Sequence, residues 1–333
     1  METHKLAIVI LNYNGINFLR KFMSNTVKHS EKFAVYVIDN NSSDDSLKYL
    51  NDEFPDIKVI KNDSNLGYAG GYNQGLKQIN SEYYILLNSD VEVVKGWITP
   101  ILSFMDKNPD VAACQPKILD FNNKTHFEHA GACGGFLDIL GYPFCRGRIF
   151  ENLEIDNGQY NDNIETFWAT GACLFIRSSS FWKVNGFDKD FFAHMEEIDL
   201  CWRLKNINQR IFCIPESYIF HVGGGTLQSS NPKKTMLNFR NNYFMLFKNL
   251  TIFEILAIFP LRIILDVIAS VQFLFNSGFS HFLAVYSAIL SFIFYLPKNI
   301  VKRTRQNIKL QKRFKALIII KFFIQKIVNF KDL

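Results

Sequence analysis

The stretch Tyr84-Ile85-Leu86-Leu87-Asn88-Ser89-Asp90-Val91-Glu92-Val93 decides how the rest of the chain is read. Four consecutive apolar residues, too few for an ordinary helix, predict a strand buried on both faces that stops at three small polar residues. In open α/β sheets the ligand crevice lies beyond the carboxyl ends of the strands, which puts Asp90 where a bound group would meet it. A hard cation carrying a diphosphate needs oxygen ligands, and one carboxylate together with substrate phosphates suffices. Asn-Ser-Asp is equally ordinary turn chemistry, with Asx side chains bonding their own backbone. Taken alone, the stretch allows both readings.

Working outward from it, residues 6–11 form an apolar run of strand length that ends at Asn12-Tyr13-Asn14-Gly15. Apolar residues at 18, 19, 22, 23 and 27 then keep helical spacing. A second strand, 34–38, ends at Asp39, with Ser43 or Asp44 placed to cap a helix. A third, 57–60, leads to Asn65-Leu66-Gly67 and a helix that returns to the quoted strand. Alternation of this kind predicts an α/β fold with a mostly parallel sheet and right-handed crossovers. Asp39 is placed to accept from a base or ribose hydroxyl. The glycines at 67, 70, 71 and 75 predict close backbone approach to a ligand ahead of a helix N-terminus, which suits phosphate. Their spacing is neither the dinucleotide fingerprint nor a Walker loop, so a plain turn stays open at each.

The chain has 333 residues, 48% of them hydrophobic, and a formal charge of +6. From Lys298 onward eleven Lys and Arg face Asp332 alone, which leaves 26 basic and 30 acidic residues before that point. The body is therefore slightly acidic, against nucleic-acid binding, and the tail strongly basic. The six cysteines show no Cys-x-x-Cys pair, and residues 1–5 lead straight into a strand without signal-peptide character. Free thiols in a reducing cytosol are expected, acting as core filler.

Four blocks now stand in order: Ile10-Leu11-Asn12-Tyr13-Asn14-Gly15, Val37-Ile38-Asp39-Asn40-Asn41-Ser42-Ser43-Asp44, Asn65-Leu66-Gly67-Tyr68-Ala69-Gly70-Gly71 and Leu86-Leu87-Asn88-Ser89-Asp90. Together they resemble the inverting family 2 glycosyltransferases, rhamnosyltransferase-like branch, over roughly residues 5–230. The resemblance implies a GT-A fold, a nucleotide-diphosphate sugar donor and a divalent metal, Mn2+ or Mg2+. It implies that Asp39 holds the nucleoside, that Asn12, Tyr13 and Asn14 line its base, and that Asn65, Gly67, Asn88 and Ser89 lie beside the nucleotide. Asp90 takes the place of the last acid of the family's Asp-x-Asp motif. Asn88 replaces the first acid, so metal binding rests mainly on Asp90.

Further along, 97–106 predicts a helix closed by Asn108-Pro109, and 111–119 a strand. Residues 120–165 are rich in Gly, Asn and aromatics and read as loops, for an acceptor site or a lid. Residues 166–177 resemble the family's strand beneath the sugar. Glu196, Glu197 and Asp199 then open an apolar helical pattern. Inverting transfer needs one base to take the acceptor proton and no covalent intermediate. Clustered acids raise one another's pKa, which suits a base, although acids at a helix start also merely complement its dipole. By resemblance Glu197 occupies the position of the family's catalytic Asp, with Glu196 beside it and Asp199 as a supporting contact. Arg203, four residues after Asp199, is spaced to pair with it. His221, before Gly223-Gly224-Gly225, resembles the C-terminal metal or diphosphate histidine, although a lone His also fits a satisfied core residue.

The last hundred residues change character. Residues 252–276 are apolar, but Glu254, Arg262, Asp266 and Gln272 fall within an arc of about 120°, as in an interfacial amphipathic helix. Residues 273–297 carry no charge and are long enough to span a bilayer, but Asn276, Ser277, Gly278, Ser280 and His281 interrupt them, which favours a re-entrant or interfacial hairpin. The basic run 298–315 suits an anionic membrane surface at about 1 kcal/mol per cation, and 316–330 repeats an amphipathic pattern. A helical cap on the catalytic domain, in a homo-oligomer, is the other reading. The expectation is a catalytic domain over 1–245 and membrane-associating helices over 246–333, peripheral or monotopic at the cytoplasmic face of a bacterial inner membrane. The chain would move a sugar from a UDP- or dTDP-sugar, dTDP-rhamnose among them, to a hydroxyl of a lipid-linked cell-surface glycan. Rivals are a nucleotidyltransferase, which lacks its basic Gly-rich loop here, and a non-catalytic glycan-binding scaffold that would not need Asp90 and Glu197.

Overall fold

The structure is a computed structural model that describes residues 3–30, 32–223, 230–304 and 308–333. In chain order the first half runs β1 His4–Asn12, α1 Ile16–His29, β2 Ala34–Asp39, α2 Ser46–Glu53, β3 Lys58–Lys61, α3 Gly67–Leu76, β4 Ser81–Asn88, β5 Val91–Val93, α4 Thr99–Lys107 and β6 Val111–Asp120. A small sheet follows, β7 Gly135–Leu137, β8 Pro143–Cys145, β9 Arg148–Ile149 and β10 Asn152–Leu153. Then come β11 Ile164–Glu165, β12 Cys173–Arg177, α5 Ser178–Lys183, α6 Glu196–Asn206, β13 Arg210–His221 and three long helices, α7 Pro232–Asn249, α8 Ile252–Asn276 and α9 Phe279–Thr304.

The large sheet has the order β11-β13-β6-β12-β4-β1-β2-β3, with β5 on β13. The half β3-β2-β1-β4 is parallel, as the alternation predicts. β12 enters antiparallel between β4 and β6, so the sheet is mixed. Strand alternation sends Val9, Tyr84 and Leu86 to one face and Ile8, Ile85 and Leu87 to the other, each into its own buried cluster, which is why β4 needs no polar side. Register aligns Leu11 with Asn88, and Asn12 with Asp39, so the ends of β1, β2 and β4 stop level and open one crevice.

The glycines after β3 serve a different purpose from the one predicted. Gly70, Gly71 and Gly75 lie inside α3. A Cβ on Gly75 would come within 2.3 Å of Ile38, and one on Gly71 within 2.9 Å of Leu11. Gly71 and Gly75 let the helix press onto the sheet, and of the four glycines only Gly67 reaches the crevice.

α7 runs past the predicted boundary at 245, and Thr251 with Glu254 forms a reciprocal capping box that starts α8. α8 is built inside out. Arg262 and Asp266 are buried as a pair, with the Tyr142 and Tyr243 hydroxyls donating to Asp266. Its apolar residues Phe253, Leu256, Ile268 and Phe275 face outward, Phe253 at 85% exposure. α9 returns beside α8 after a turn at Gly278 and exposes Leu290, Ile293 and Phe294. It is the one helix among the described residues long and apolar enough to cross a membrane.

The basic tail departs from expectation. Lys298 and Lys302 bind Asp190, and Lys302 also binds Asp188, while Arg303 donates to the Phe247 and Leu250 carbonyls and Arg313 pairs with Glu254. Much of the positive charge is therefore used to hold the tail on the body. Residues 316–330 are no amphipathic helix. Ile318 is buried beside Phe144, and Phe314 and Phe330 pack on the Phe136 and Phe144 rings of the small sheet. Gly224 and Gly225 of the glycine run and Arg305 of the basic run lie outside the described residues.

Candidate active site

Two clefts meet at the end of β4. The first, of about 500 Å³, is lined by Tyr13, Asn14, Asn65, Gly67, Asn88, Ser89, Asp90 and Lys233, among others. The second, of about 280 Å³, is lined by Trp168, Thr170, His194, Glu196, Glu197 and His221, among others. Tyr68, Asn88, Asp90 and Ala193 border both.

Most of the predicted nucleotide residues sit in the first cleft. Tyr13 is 47% exposed there, a free aromatic face on which a base can stack. Asn65 folds an Asx turn onto the Gly67 amide at 2.9 Å. Gly67 has φ +69°, and a Cβ would meet Phe192 at 2.5 Å, so glycine is required. Asn12 and Asp39 do not line the cleft. Because their strand ends are in register, Asn12 Nδ2 donates to Asp39 Oδ1 at 3.3 Å, and the other Asp39 oxygen accepts the Ser42 amide at 2.9 Å. Both are buried and brace the cleft floor. Asn40, which the sequence reading passed over, ties Asn65 and the Gly67 carbonyl together.

Asp90 follows β4 by two residues, and its carboxylate meets the last residue of β13. His221 Nε2 lies 3.1 Å from Asp90 Oδ1, and Nδ1 of the same ring lies 3.3 Å from Glu128. Burial alone would lower the His221 pKa, but the two carboxylates outweigh it and push it up to about 10. Burial likewise opposes ionisation of Asp90 and Glu128, and the His221 charge holds both below the usual range. Glu128 went unnoticed in sequence because it reaches His221 across the β6–β13 pairing.

The acids of α6 behave differently from one another. Glu196 and Glu197 each keep one buried carboxylate oxygen without a hydrogen-bond partner. Burial pushes Glu197 up to about 7, and burial together with the Glu197 charge pushes Glu196 further. Neighbouring acids raised to different extents in this way leave Glu197 poised to titrate near neutrality and disfavour charge on Glu196. Asp199 does not enter the site. It is fully buried, accepts from Arg203 at 2.8 Å and from Asn249 at 2.9 Å, and pairs with Lys248 at 3.0 Å, which fastens α6 to α7.

The segment ahead of α6 is held in an uncommon conformation. Phe192, His194 and Met195 all have positive φ, at 65°, 72° and 68°. Non-glycine residues hold such angles only where the surroundings over-determine them. Asn241 of α7 supplies that, its amide shared among the carbonyls of Phe191, Ala193 and His194 at 2.8 to 2.9 Å. Beneath the second cleft, Gln115 accepts from the Thr170 amide and donates to the Gly131 carbonyl, fixing the chain ahead of β12.

A sheet with a crevice at its strand ends, an acid at the junction of two clefts and a poised carboxylate beyond it define a group-transfer enzyme. Residues 7–184 match the family model for glycosyl transferase family 2, and the chain belongs to that family. It is a glycosyltransferase. Over 235 residues it is 24% identical to the N-acetylglucosaminyl-diphospho-decaprenol L-rhamnosyltransferase of Mycobacterium tuberculosis, covering 66% of this chain and 76% of that protein. It is 22% identical to the rhamnosyltransferase WbbL of Escherichia coli K12, covering 64% of this chain and 82% of that one. Its fold matches that of GalNAc-T7 crystallised with UDP, GalNAc and Mn2+, at a TM-score of 0.58 and 16% identity, over 74% of this chain and 48% of that one. The fold is therefore GT-A, and the chain spans about half the length of that structural relative.

Proposed function

We propose that this glycosyltransferase passes a sugar, with inversion, from a nucleotide-diphosphate donor to a hydroxyl of a lipid-linked glycan. One observation carries the reading. Glu197, with an unpartnered oxygen and a pKa near 7, lines a cleft that joins the nucleotide-sized cleft at Asp90. The nucleoside would stack on Tyr13 among Asn14, Asn65 and Ser89, with the diphosphate toward Asp90 and Lys233. The acceptor oxygen attacks the anomeric carbon as its proton passes to Glu197, and the bond to the diphosphate breaks with its electron pair leaving on the phosphate oxygen. Burial and the Glu197 charge both raise Glu196, which disfavours a second negative charge beside the base.

The residues fit a divalent metal. Glu128 lies 3.3 Å from His221 Nδ1 and Asp90 3.1 Å from Nε2, a carboxylate–histidine arrangement in which an ion at Asp90 and Nε2 would displace the ring proton that the two carboxylates favour. Asp90 and His221 would hold the ion, with Asn88 beside them. When bound, it would neutralise charge on the departing diphosphate.

Rhamnosyl transfer by the two named relatives supports dTDP-rhamnose as the first donor to try, and the decaprenol in one of those names supports a polyprenyl-linked acceptor. The outward apolar faces of α8 and α9 support a seat in the membrane surface, at the cytoplasmic face where sugar nucleotides are found.

The test is calorimetric titration of UDP, dTDP and GDP, with and without manganese, into wild type and Asp90→Ala, followed by turnover of the matching sugar nucleotide. Manganese-dependent binding of one diphosphate, lost in the variant, is expected. Absence of binding by all three overturns the donor-site assignment.

A further inference from the structure

The second cleft carries two cations that the donor reaction does not use. Arg148, from β9, and Lys234, from the first turn of α7, line the same cavity as Glu197. Arg148 has its Nε buried and unpartnered, and its NH1 lies 2.8 Å from the His129 ring, which offers no carboxylate. Lys234 is half-buried, and burial lowers its pKa. Among the described residues neither cation has a carboxylate within ion-pair distance, whereas Lys117, Lys248 and Arg262, buried elsewhere, each do. Glu128 acts on Lys234 only at longer range, and cations at a cavity wall with no carboxylate in direct contact match the needs of a phosphate, which takes charge-assisted donors from Arg and Lys.

The position says whose phosphate it is. The proposed donor diphosphate lies toward Asp90, at the junction of the clefts, and Lys233, which lines the first cleft alone. Pro143, on the rim of the second cleft, adjoins Tyr142, whose hydroxyl bonds Asp266 of α8. Through Tyr142 the rim is tied to the buried side of α8, the helix whose other residues Leu256, Ile268 and Phe275 are exposed. A lipid tail lying along those exposed residues would bring the head group to Arg148 and Lys234, with the sugar hydroxyl toward Glu197.

We infer that Arg148 and Lys234 form an anion subsite for the phosphoryl group that links the acceptor's sugar to its lipid. This rests on the proposed transfer reaction and names its acceptor class. Donor hydrolysis to water, which needs no acceptor, separates the two claims. If no sugar nucleotide is turned over, the transfer reading fails. If one is turned over, the subsite stands or falls on the acceptor.

The experiment compares two acceptors bearing the same sugar, a polyprenyl-diphosphate sugar and its uncharged alkyl glycoside. It uses the full chain in detergent as wild type, Arg148→Ala, Lys234→Ala and Lys234→Arg, with donor hydrolysis as the control for folding. Wild type should favour the diphosphate-linked acceptor by about tenfold or more in kcat/KM, since one good charged contact is worth about that factor. Each alanine variant should lose most of that preference through acceptor KM, and Lys234→Arg should keep it. Inorganic phosphate should inhibit wild type more strongly than the alanine variants. Equal use of both acceptors by wild type overturns the subsite. So does a rise in donor KM in the variants with the acceptor preference intact, which would assign the cations to the donor.

Discussion

The Asn241 amide donates to the Ala193 carbonyl at 2.8 Å, joining a helix of the C-terminal half to the one residue of the 191–195 segment that borders both clefts. The same amide serves the Phe191 and His194 carbonyls, so one side chain holds a backbone with three positive φ angles. Asn241→Ala should cost about 2 to 3 kcal/mol in urea unfolding, the penalty for buried carbonyls left unpaired. It should also lower kcat by more than it raises donor KM, because the base-bearing helix starts directly after the loosened segment. Unchanged kcat in a folded variant would show that the loop needs no such clamp.

Glu197 has to be ionised to accept a proton, so its raised pKa predicts a rate that grows with pH. The pH profile of kcat should rise through about 7 and level off above it. Glu197→Gln should lower kcat roughly 10²- to 10⁴-fold, with nucleotide binding retained. An equal loss in Glu196→Gln with an intact Glu197→Gln would transfer the role to the neighbour.

Glu128 orients His221 from the far side of the ring. Glu128→Gln should therefore weaken manganese binding about 10- to 100-fold without removing it. Asp90→Ala should abolish it, and His221→Ala should fall between. Calorimetry with manganese and the matching nucleoside diphosphate orders the three.

Asp188 is 11% exposed and meets Lys248 at 2.6 Å and Lys302 beside it. Burial would raise its carboxyl, and the two ammonium groups overcome that and hold it far below the ordinary range. A depressed carboxyl contributes stability above its unfolded pKa of about 3.9 and loses it as pH falls toward the folded value. Stability measured by denaturant should thus decline below about pH 4 in wild type, and less steeply in Asp188→Asn. The variant itself should be about 3 kcal/mol less stable at pH 7, because Lys248 and Lys302 lose a partner.

Phe253, Phe275 and Phe294 stand outward on the α8–α9 hairpin. Replacing each with Ser should weaken binding to phosphatidylglycerol vesicles by at least about tenfold, from the apolar burial lost. Flotation of wild type and the variants measures this. Full binding by the triple variant would leave the hairpin faces without that role.

Much of this was legible from local pattern. The runs at 6–11, 34–38 and 84–87 form strands as expected, that at 84–87 fully buried, and the acids at 196 and 197 begin a helix as their spacing suggests. What could not be read was everything that depends on register. Polar residues at the ends of β1 and β2 were expected to face the crevice, yet Asn12 and Asp39 are level and Asn12 donates to Asp39. The pairing of Asp199 with Arg203 follows from an i,i+4 spacing, while Lys248 and Asn249, which draw Asp199 out of the site, come from some fifty residues away. Glu128, Arg148 and Asn241 lie in segments with no periodic pattern toward the site. The basic tail looked like a membrane patch because nothing local announces Asp188, Asp190 or Glu254 as its partners.

The grip of Lys302 on Asp188 and Asp190 bears on how the enzyme is to be handled. A soluble fragment cut at residue 245, the obvious choice from hydropathy, would end inside α7 before Lys248 and Asn249, and would discard Lys298 and Lys302 as well. Asp188 and Asp190 would lose their cations just where the chain turns toward Glu197, Asp199 would keep Arg203 alone, and the Tyr142 and Tyr243 hydroxyls would lose Asp266. Such a fragment should aggregate or stay inactive, whereas the whole chain kept in mild detergent retains both its fold and its base.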